Sequence, residues 1–201
     1  MPLDSTKKLA ISPSVVLAHS AQLFLDTDFQ EELAEARNRK IAPKTGVSLY
    51  SESEINQVLE STFKPEVIQL PMNILDNRLY RRGLLDRIRD KGIMIHARSA
   101  FLQGLFYLPE ADLKARFADV VPYITKLKNI AVEAGLTLAE LSLLWLVNME
   151  ELNKVIIGLD NLVQLNEHLE TLNKNVDPAI FEESLSINYE NENILNPSLW
   201  L

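Results

Sequence analysis

Apolar positions along this chain follow two alternating rhythms. Short, mostly apolar runs at 15–18, 45–50, 67–70, 93–97 and 155–158 read as buried strands. Between them lie stretches with apolar residues every three or four positions, the period of a helix with one buried stripe. Helices are expected over 28–39, 51–59, 79–91, 120–133, 138–147, 161–172 and 178–185. Asp28 with Glu31, Ser51 with Glu54, and Thr137 with Glu140 have the spacing of N-terminal capping pairs. Pro71 and Gly92 act as stops, for the third strand and the third helix. The residues after Ala18, through Asp26, read as a loop. In 161–172, Leu162, Leu165 and Leu169 have core spacing. Arg78, Arg81 and Arg82 read as a solvated helix face, continued by Arg87 and Arg89. The connection 101–118 is long and contains Gly104 and Pro109, which suits a covering loop. The chain ends in Pro197-Ser198-Leu199-Trp200-Leu201, whose apolar groups are expected to dock.

Strands alternating with helices imply an α/β fold with a parallel sheet. Two architectures meet that pattern, an open doubly wound sheet and part of a (β/α) barrel. No glycine-rich fingerprint follows any strand, so the dinucleotide motif of the doubly wound class is missing. No shift in composition marks a boundary, and residues 1–201 are expected to form a single domain.

Composition narrows the function classes. Of 201 residues, 47% are hydrophobic and 24% charged, enough apolar content for a sizeable core. A net charge of −8, with no basic cluster larger than Arg81-Arg82, argues against a nucleic-acid surface. No apolar run reaches the ~18–20 residues of a membrane span. Residues 1–10 carry Lys7-Lys8 without the apolar segment of a signal peptide, so a soluble, cytoplasmic protein is expected. There is no cysteine, and His19, His96 and His168 are too far apart in sequence for metal-ligand spacing. His19 ends the first strand, where a barrel presents its chemistry. His96 is expected to be a packing histidine, and His168 to lie solvated on its helix.

Four strand ends carry a family resemblance. Gly46-Val47-Ser48-Leu49-Tyr50 resembles the Gly-Val-Ser-Asn-aromatic segment of the aldo-keto reductases. Gln69-Leu70-Pro71-Met72-Asn73 is similar to that family's Gln-x-x-x-Asn run on the next strand. Arg98-Ser99-Ala100-Phe101-Leu102-Gln103-Gly104-Leu105 resembles the following strand end, which leads to a Gly-Leu pair. Val155-Ile156-Ile157-Gly158, with Gln164-Leu165-Asn166-Glu167-His168 after it, is similar to the last strand and its helix. The matches stand in family order over about 15–172. They place 15–20 on the fourth strand of the family's barrel.

The resemblance implies a partial (β/α) TIM-type barrel of about five parallel strands that binds NADP or NAD and reduces a small aldehyde or ketone. It assigns Ser48 and Gln69 to the nicotinamide carboxamide, although Leu49 stands where the family has Asn. It places Arg98 under the nicotinamide ring, where a guanidinium can stack, and Ser99 with the backbone around 101–104 beside the pyrophosphate. Gly158, Gln164, Glu167 and His168 fall on the adenosine side. Asp160 lies at the start of the last helix with no Arg or Lys beside it in sequence, which weighs against NADP selectivity. Of the family's catalytic Tyr, Lys, Asp and His, His19 alone has a counterpart, because the other three belong to strands one to three. About 14 residues before Val15 cannot hold three βα units of ~30 residues each. Tyr50 is the tyrosine nearest the strand ends, and no lysine is placed to tune it. The expectation is therefore a truncated reductase, inactive alone. The alternatives are a non-catalytic nucleotide-binding or interaction module, a homo-oligomer paired through open strand edges, and one half of a two-chain reductase.

Overall fold

A computed structural model describes residues 15–200. The expectation for residues 1–10 lies outside the described residues, as does Leu201. Five strands, β1 (Val16–Ala18), β2 (Thr45–Ser48), β3 (Val67–Pro71), β4 (Met94–Arg98) and β5 (Lys154–Val155), form one parallel sheet in the order β1-β2-β3-β4-β5. Each strand lies beside its predecessor, so every crossover advances in one direction. A doubly wound sheet reverses direction at a switch point, and none occurs here. The sheet is an arc of a (β/α) barrel.

Register follows the apolar pattern. Gly46 sits opposite Val67 and Ser48 opposite Gln69 in the β2–β3 pair, and Pro71 sits opposite Arg98 in the β3–β4 pair. Pro71 closes β3 from within its last position, one residue beyond the expected end. The close approach of β2 to β3 requires a glycine. A Cβ built on Gly46 would lie 2.1 Å from the Val67 carbonyl oxygen. Strand β5 is shorter than expected: Ile156 still donates its N–H to the Ala97 carbonyl of β4 at 2.8 Å, and Ile157 and Gly158 turn away to line a cleft.

The helices are α1 (Ala21–Leu25), α2 (Thr27–Asn38), α3 (Glu52–Glu60), α4 (Arg78–Arg81), α5 (Leu84–Arg89), α6 (Glu110–Arg116), α7 (Val121–Glu133), α8 (Leu138–Val147), α9 (Leu162–Thr171), α10 (Pro178–Leu185) and α11 (Glu192–Leu195). The boxes at Ser51–Glu54 and Thr137–Glu140 both form, with the acid reaching back to the cap N–H. Three expectations differ. Residues 21–25 are helical, capped by the Ser20 hydroxyl, and α2 is capped by Asp26 rather than Asp28. The helix expected over 79–91 is two short helices, because Gly83 takes a left-handed φ of 67° between them. The 101–118 connection folds into a 3₁₀ turn and α6.

Buried apolar side chains form one contiguous cluster from Ala18 to Leu195. Helix α8 is buried on nearly every face, from Leu138 to Leu146. No single described helix is long and apolar enough to cross a membrane. Of the arginines expected to be a solvated face, Arg81, Arg82, Arg87 and Arg89 are exposed and Arg78 is half-buried; Arg78, Arg81 and Arg82 also hold the C-terminal segment. Arg78 pairs with buried Asp76 at 2.8 Å and with Glu192 at 3.0 Å, while Arg81 and Arg82 reach Glu190 at 3.2 and 3.6 Å. Burial pushes the Asp76 carboxyl above its usual range despite the partner guanidinium. Tyr189 donates to Asp119, and Trp200 packs on Phe117 with its indole N–H on the Ile194 carbonyl. The terminal segment is thus docked, as its apolar residues imply.

Candidate functional site

The ends of β2, β3 and β4 converge on one polar cluster. Arg98 at the end of β4 extends back over β2, and its Nε donates to the Ser48 hydroxyl at 3.2 Å. Ser48 in turn donates to the Gln69 side-chain oxygen on β3 at 3.2 Å. A second guanidinium nitrogen reaches the Ser99 hydroxyl at 3.3 Å. The guanidinium plane lies 4.1 Å above the Tyr50 ring, a contact that favours a planar cation over an ammonium. The third nitrogen, Nη2, is buried without a hydrogen-bond partner. A buried guanidinium donor left unpaired costs free energy, which makes it a ready donor for a ligand acceptor.

Beyond Arg98 the chain enters a strained turn. Ser99, Leu102 and Gln103 hold φ values of 62°, 45° and 52°, followed by Gly104 at 84°. Non-glycine residues in this region cost roughly 1–3 kcal/mol each, and such strain concentrates at ligand sites. The surroundings hold the turn in place. Asn73 donates to the Ser99 carbonyl at 3.2 Å, and Ser142 from α8 donates to the Ala100 carbonyl at 2.7 Å while accepting the Ile74 N–H.

The turn forms one wall of a cleft of about 600 Å³, and residues 156–160 with Gln164 and His168 form the other. Its lining includes the rings of Phe101, Tyr107 and His168. Phe101 stacks on His168 with centroids 4.9 Å apart and meets Tyr107 edge-on. His168 is therefore buried, not solvated as its helix position implies, because the Phe101 ring covers it. Burial, with Glu167 and Glu140 nearby, raises the Tyr107 pKa, so its phenol stays protonated at neutral pH. The N-cap of α9 is Asn161, one residue beyond Asp160. Gln164 links to Asp160 on both sides, accepting its backbone N–H at 2.9 Å and donating to its carboxylate at 3.2 Å. Among the described residues, Arg98 is the only Lys or Arg lining this cleft.

A model of the aldo/keto reductase family matches residues 29–188. This chain belongs to that family. Two curated aldo-keto reductase relatives, the L-glyceraldehyde 3-phosphate reductases of Escherichia coli O157:H7 and of Escherichia coli strain K12, are each 27% identical over 197 residues. The alignments cover 85% of this chain and 57% of each relative, so the chain spans little more than half their length. A solved thermostable aldo-keto reductase, crystallised with the inhibitor epalrestat, superposes with a TM-score of 0.64 at 18% identity, covering 88% of this chain and 60% of that one. That likeness establishes the barrel-type fold.

Family members use a nicotinamide dinucleotide, and two features of this chain's cleft suit one. Arg98 Nη2 is an unpaired donor, and a side chain at Gly158 would meet no protein atom within 4 Å, so space above that backbone is open. Of the residues the sequence singles out, Ser48, Gln69, Arg98 and Ser99 form one connected network. Gly158, Gln164 and His168 line the cleft, whereas Glu167 is exposed on α9 outside its lining. His19 ends β1 exposed, with no hydrogen-bond or ion-pair partner for its imidazole among the described residues, and it precedes the span matched by the family model. Sequence reading missed Tyr50 as the platform for Arg98, and the Phe101 and Tyr107 rings in the cleft lining. The aromatics at those positions were the available signal. It also missed Pro197 and Ser198, which close a smaller recess against Tyr50, Arg98, Ser99 and Gln103.

Proposed function

We propose that this chain is the dinucleotide-binding portion of an NAD(P)H-dependent carbonyl reductase and does not reduce carbonyls alone. The observation that carries this reading is the Gln69–Ser48–Arg98–Ser99 network, which holds a buried, unpaired guanidinium donor and contributes Arg98 and Ser99 to the cleft lining. When bound, the cofactor supplies a hydride. Ser48 and Gln69 hold the carboxamide end, Arg98 offers a flat cation beside the ring, and the Ser99–Gly104 turn takes the pyrophosphate. Gly158, Gln164 and His168 border the adenosine, with Glu167 at its rim. His19 orients the carbonyl, but no general acid accompanies it among the described residues. Such an acid must lie within hydrogen-bond reach of the forming alkoxide.

The cleft favours NADH over NADPH. The Asp160 carboxylate stands at the α9 end of the lining, no Lys or Arg among the described residues accompanies it there, and an added 2′-phosphate would meet like charge. The compartment is cytoplasmic and the substrate a small aldehyde or ketone.

Two assays on the purified chain test this function together. NADH and NADPH are titrated against intrinsic fluorescence, and cofactor oxidation is followed with DL-glyceraldehyde. The expected outcome is saturable quenching, tighter for NADH, with no oxidation above a His19→Ala control. Turnover above that control, or no quenching by millimolar cofactor, overturns the proposal.

A further inference from the structure

A further cavity, of about 290 Å³, lies among α4, α8 and α10 and has no lining residue in common with the cleft beside Arg98. Its lining includes the rings of Tyr80, Trp145 and Phe181. The Tyr80 and Trp145 rings meet at 85° with centroids 6.0 Å apart, so they form a corner with two aromatic walls. Glu150 and Glu151, just past α8, and Glu182 on α10 line the same space. Among the described residues none of these three carboxylates has an ion-pair partner, and no Lys, Arg or His lines the cavity. Surface carboxylates alone would simply be solvated. Two observations set these apart. The ring faces beside them carry the negative side of an aromatic quadrupole, which attracts a cation. Trp145 is 3% exposed, yet its indole N–H has no hydrogen-bond partner among the described residues, although a buried indole usually finds one.

We infer that this cavity binds a small organic cation, a quaternary ammonium that carries a hydroxyl. The ammonium lies against the Tyr80 and Phe181 rings with the glutamates as counter-ions, and the hydroxyl oxygen accepts the Trp145 N–H. A quaternary ammonium has no N–H to donate, so ring faces can replace its water. A metal ion would leave the rings unused. A ligand carrying a carboxylate would bring like charge to the glutamates, which makes a neutral hydroxyl the fitting acceptor. The volume suits a small ligand, since drug-sized molecules fill pockets of ~300–1,000 Å³. The net charge of −8 draws cations toward the molecule as a whole. The inference stands on this cavity and not on cofactor binding.

Calorimetric titration of the full-length chain with choline chloride tests the site, with sodium chloride as the ionic-strength control. Saturable one-to-one binding at millimolar choline is expected, with no saturation by sodium chloride. Tetramethylammonium, which lacks the hydroxyl, binds more weakly. The double variant Glu150→Gln/Glu182→Gln weakens choline binding by about fivefold or more. Both side chains are exposed, so its circular dichroism and melting temperature match those of the parent chain. Phe181→Leu, which removes a ring and keeps an apolar side chain, weakens binding by about threefold or more. Absence of saturable heat at tens of millimolar choline, equal choline affinity in the double variant, or tetramethylammonium binding as tightly as choline each overturns the inference.

Discussion

The Asp76–Arg78 pair ties the barrel arc to the segment that walls its mouth, and removing one member has a calculable cost. Asp76 has a side chain 3% exposed and accepts two guanidinium contacts, at 2.8 and 3.4 Å. Arg78→Ala leaves that carboxylate buried and unpaired, a loss of about 3–5 kcal/mol in comparable buried pairs. The outer contact to Glu192 adds little. Glu192 is 70% exposed, and a pair of that kind contributes about 0–1 kcal/mol. Glu192→Gln is therefore expected to change stability by less than about 1 kcal/mol. Replacing both members, as Asp76→Asn/Arg78→Met, removes the stranded charge and recovers at least half of the Arg78→Ala loss. Urea unfolding followed by tryptophan fluorescence reads all three, since buried Trp145 meets Tyr80 of α4 edge-on at 6.0 Å. An Arg78→Ala loss below about 1 kcal/mol, or a double variant no more stable than the single, refutes the reasoning.

Two further outcomes test other parts of the structure. Gly46→Ala pushes a methyl carbon into the Val67 carbonyl, so a loss of about 3 kcal/mol or failure to fold is expected by urea unfolding; a change below about 1 kcal/mol contradicts the tight β2–β3 approach. His96 is 4% exposed, and burial, then Lys154 and Lys44, lowers its pKa. Its neutral form therefore contributes stability that is full above the unfolded pKa of about 6.5 and lost as pH falls through the lowered folded value. His96→Gln should flatten the stability–pH curve below about pH 6.5, and an unchanged slope there contradicts the assignment.

Local signals were the legible part of this chain. The Ser51 and Thr137 capping boxes and the five strands are read from neighbours in sequence, and the structure keeps them, with Pro71 inside β3 and β5 only two residues long. So are the strand-end residues, because register carries Ser48, Gln69 and Arg98 to one place once the strands align. What sequence could not show depends on partners distant along the chain. The ion pairs of Arg78, Arg81 and Arg82 were not legible because Glu190 and Glu192 lie more than 100 residues away. His168 read as exposed because nothing local announces that the Phe101 ring covers it. Helix α1, at five residues, is shorter than a hydrophobic period can reveal, and Asp26 displaced Asp28 as the next cap by one turn's choice of starting point. The α9 leucines misled for a different reason. Leu162 and Leu169 have core spacing yet stand 69% and 51% exposed, because spacing fixes which residues share a face and not where that face points.

The central claim is that this arc binds a nicotinamide dinucleotide through the Arg98 cluster, and calorimetric titration of NADH into the purified chain tests it most directly. Saturable one-to-one binding is predicted. Arg98→Met, which keeps the stem but removes the guanidinium, should weaken it by about tenfold or more, since a hydrogen bond to a charged group contributes about 1.5–3 kcal/mol. Absence of heat at millimolar NADH, or equal affinity in the variant, contradicts the account.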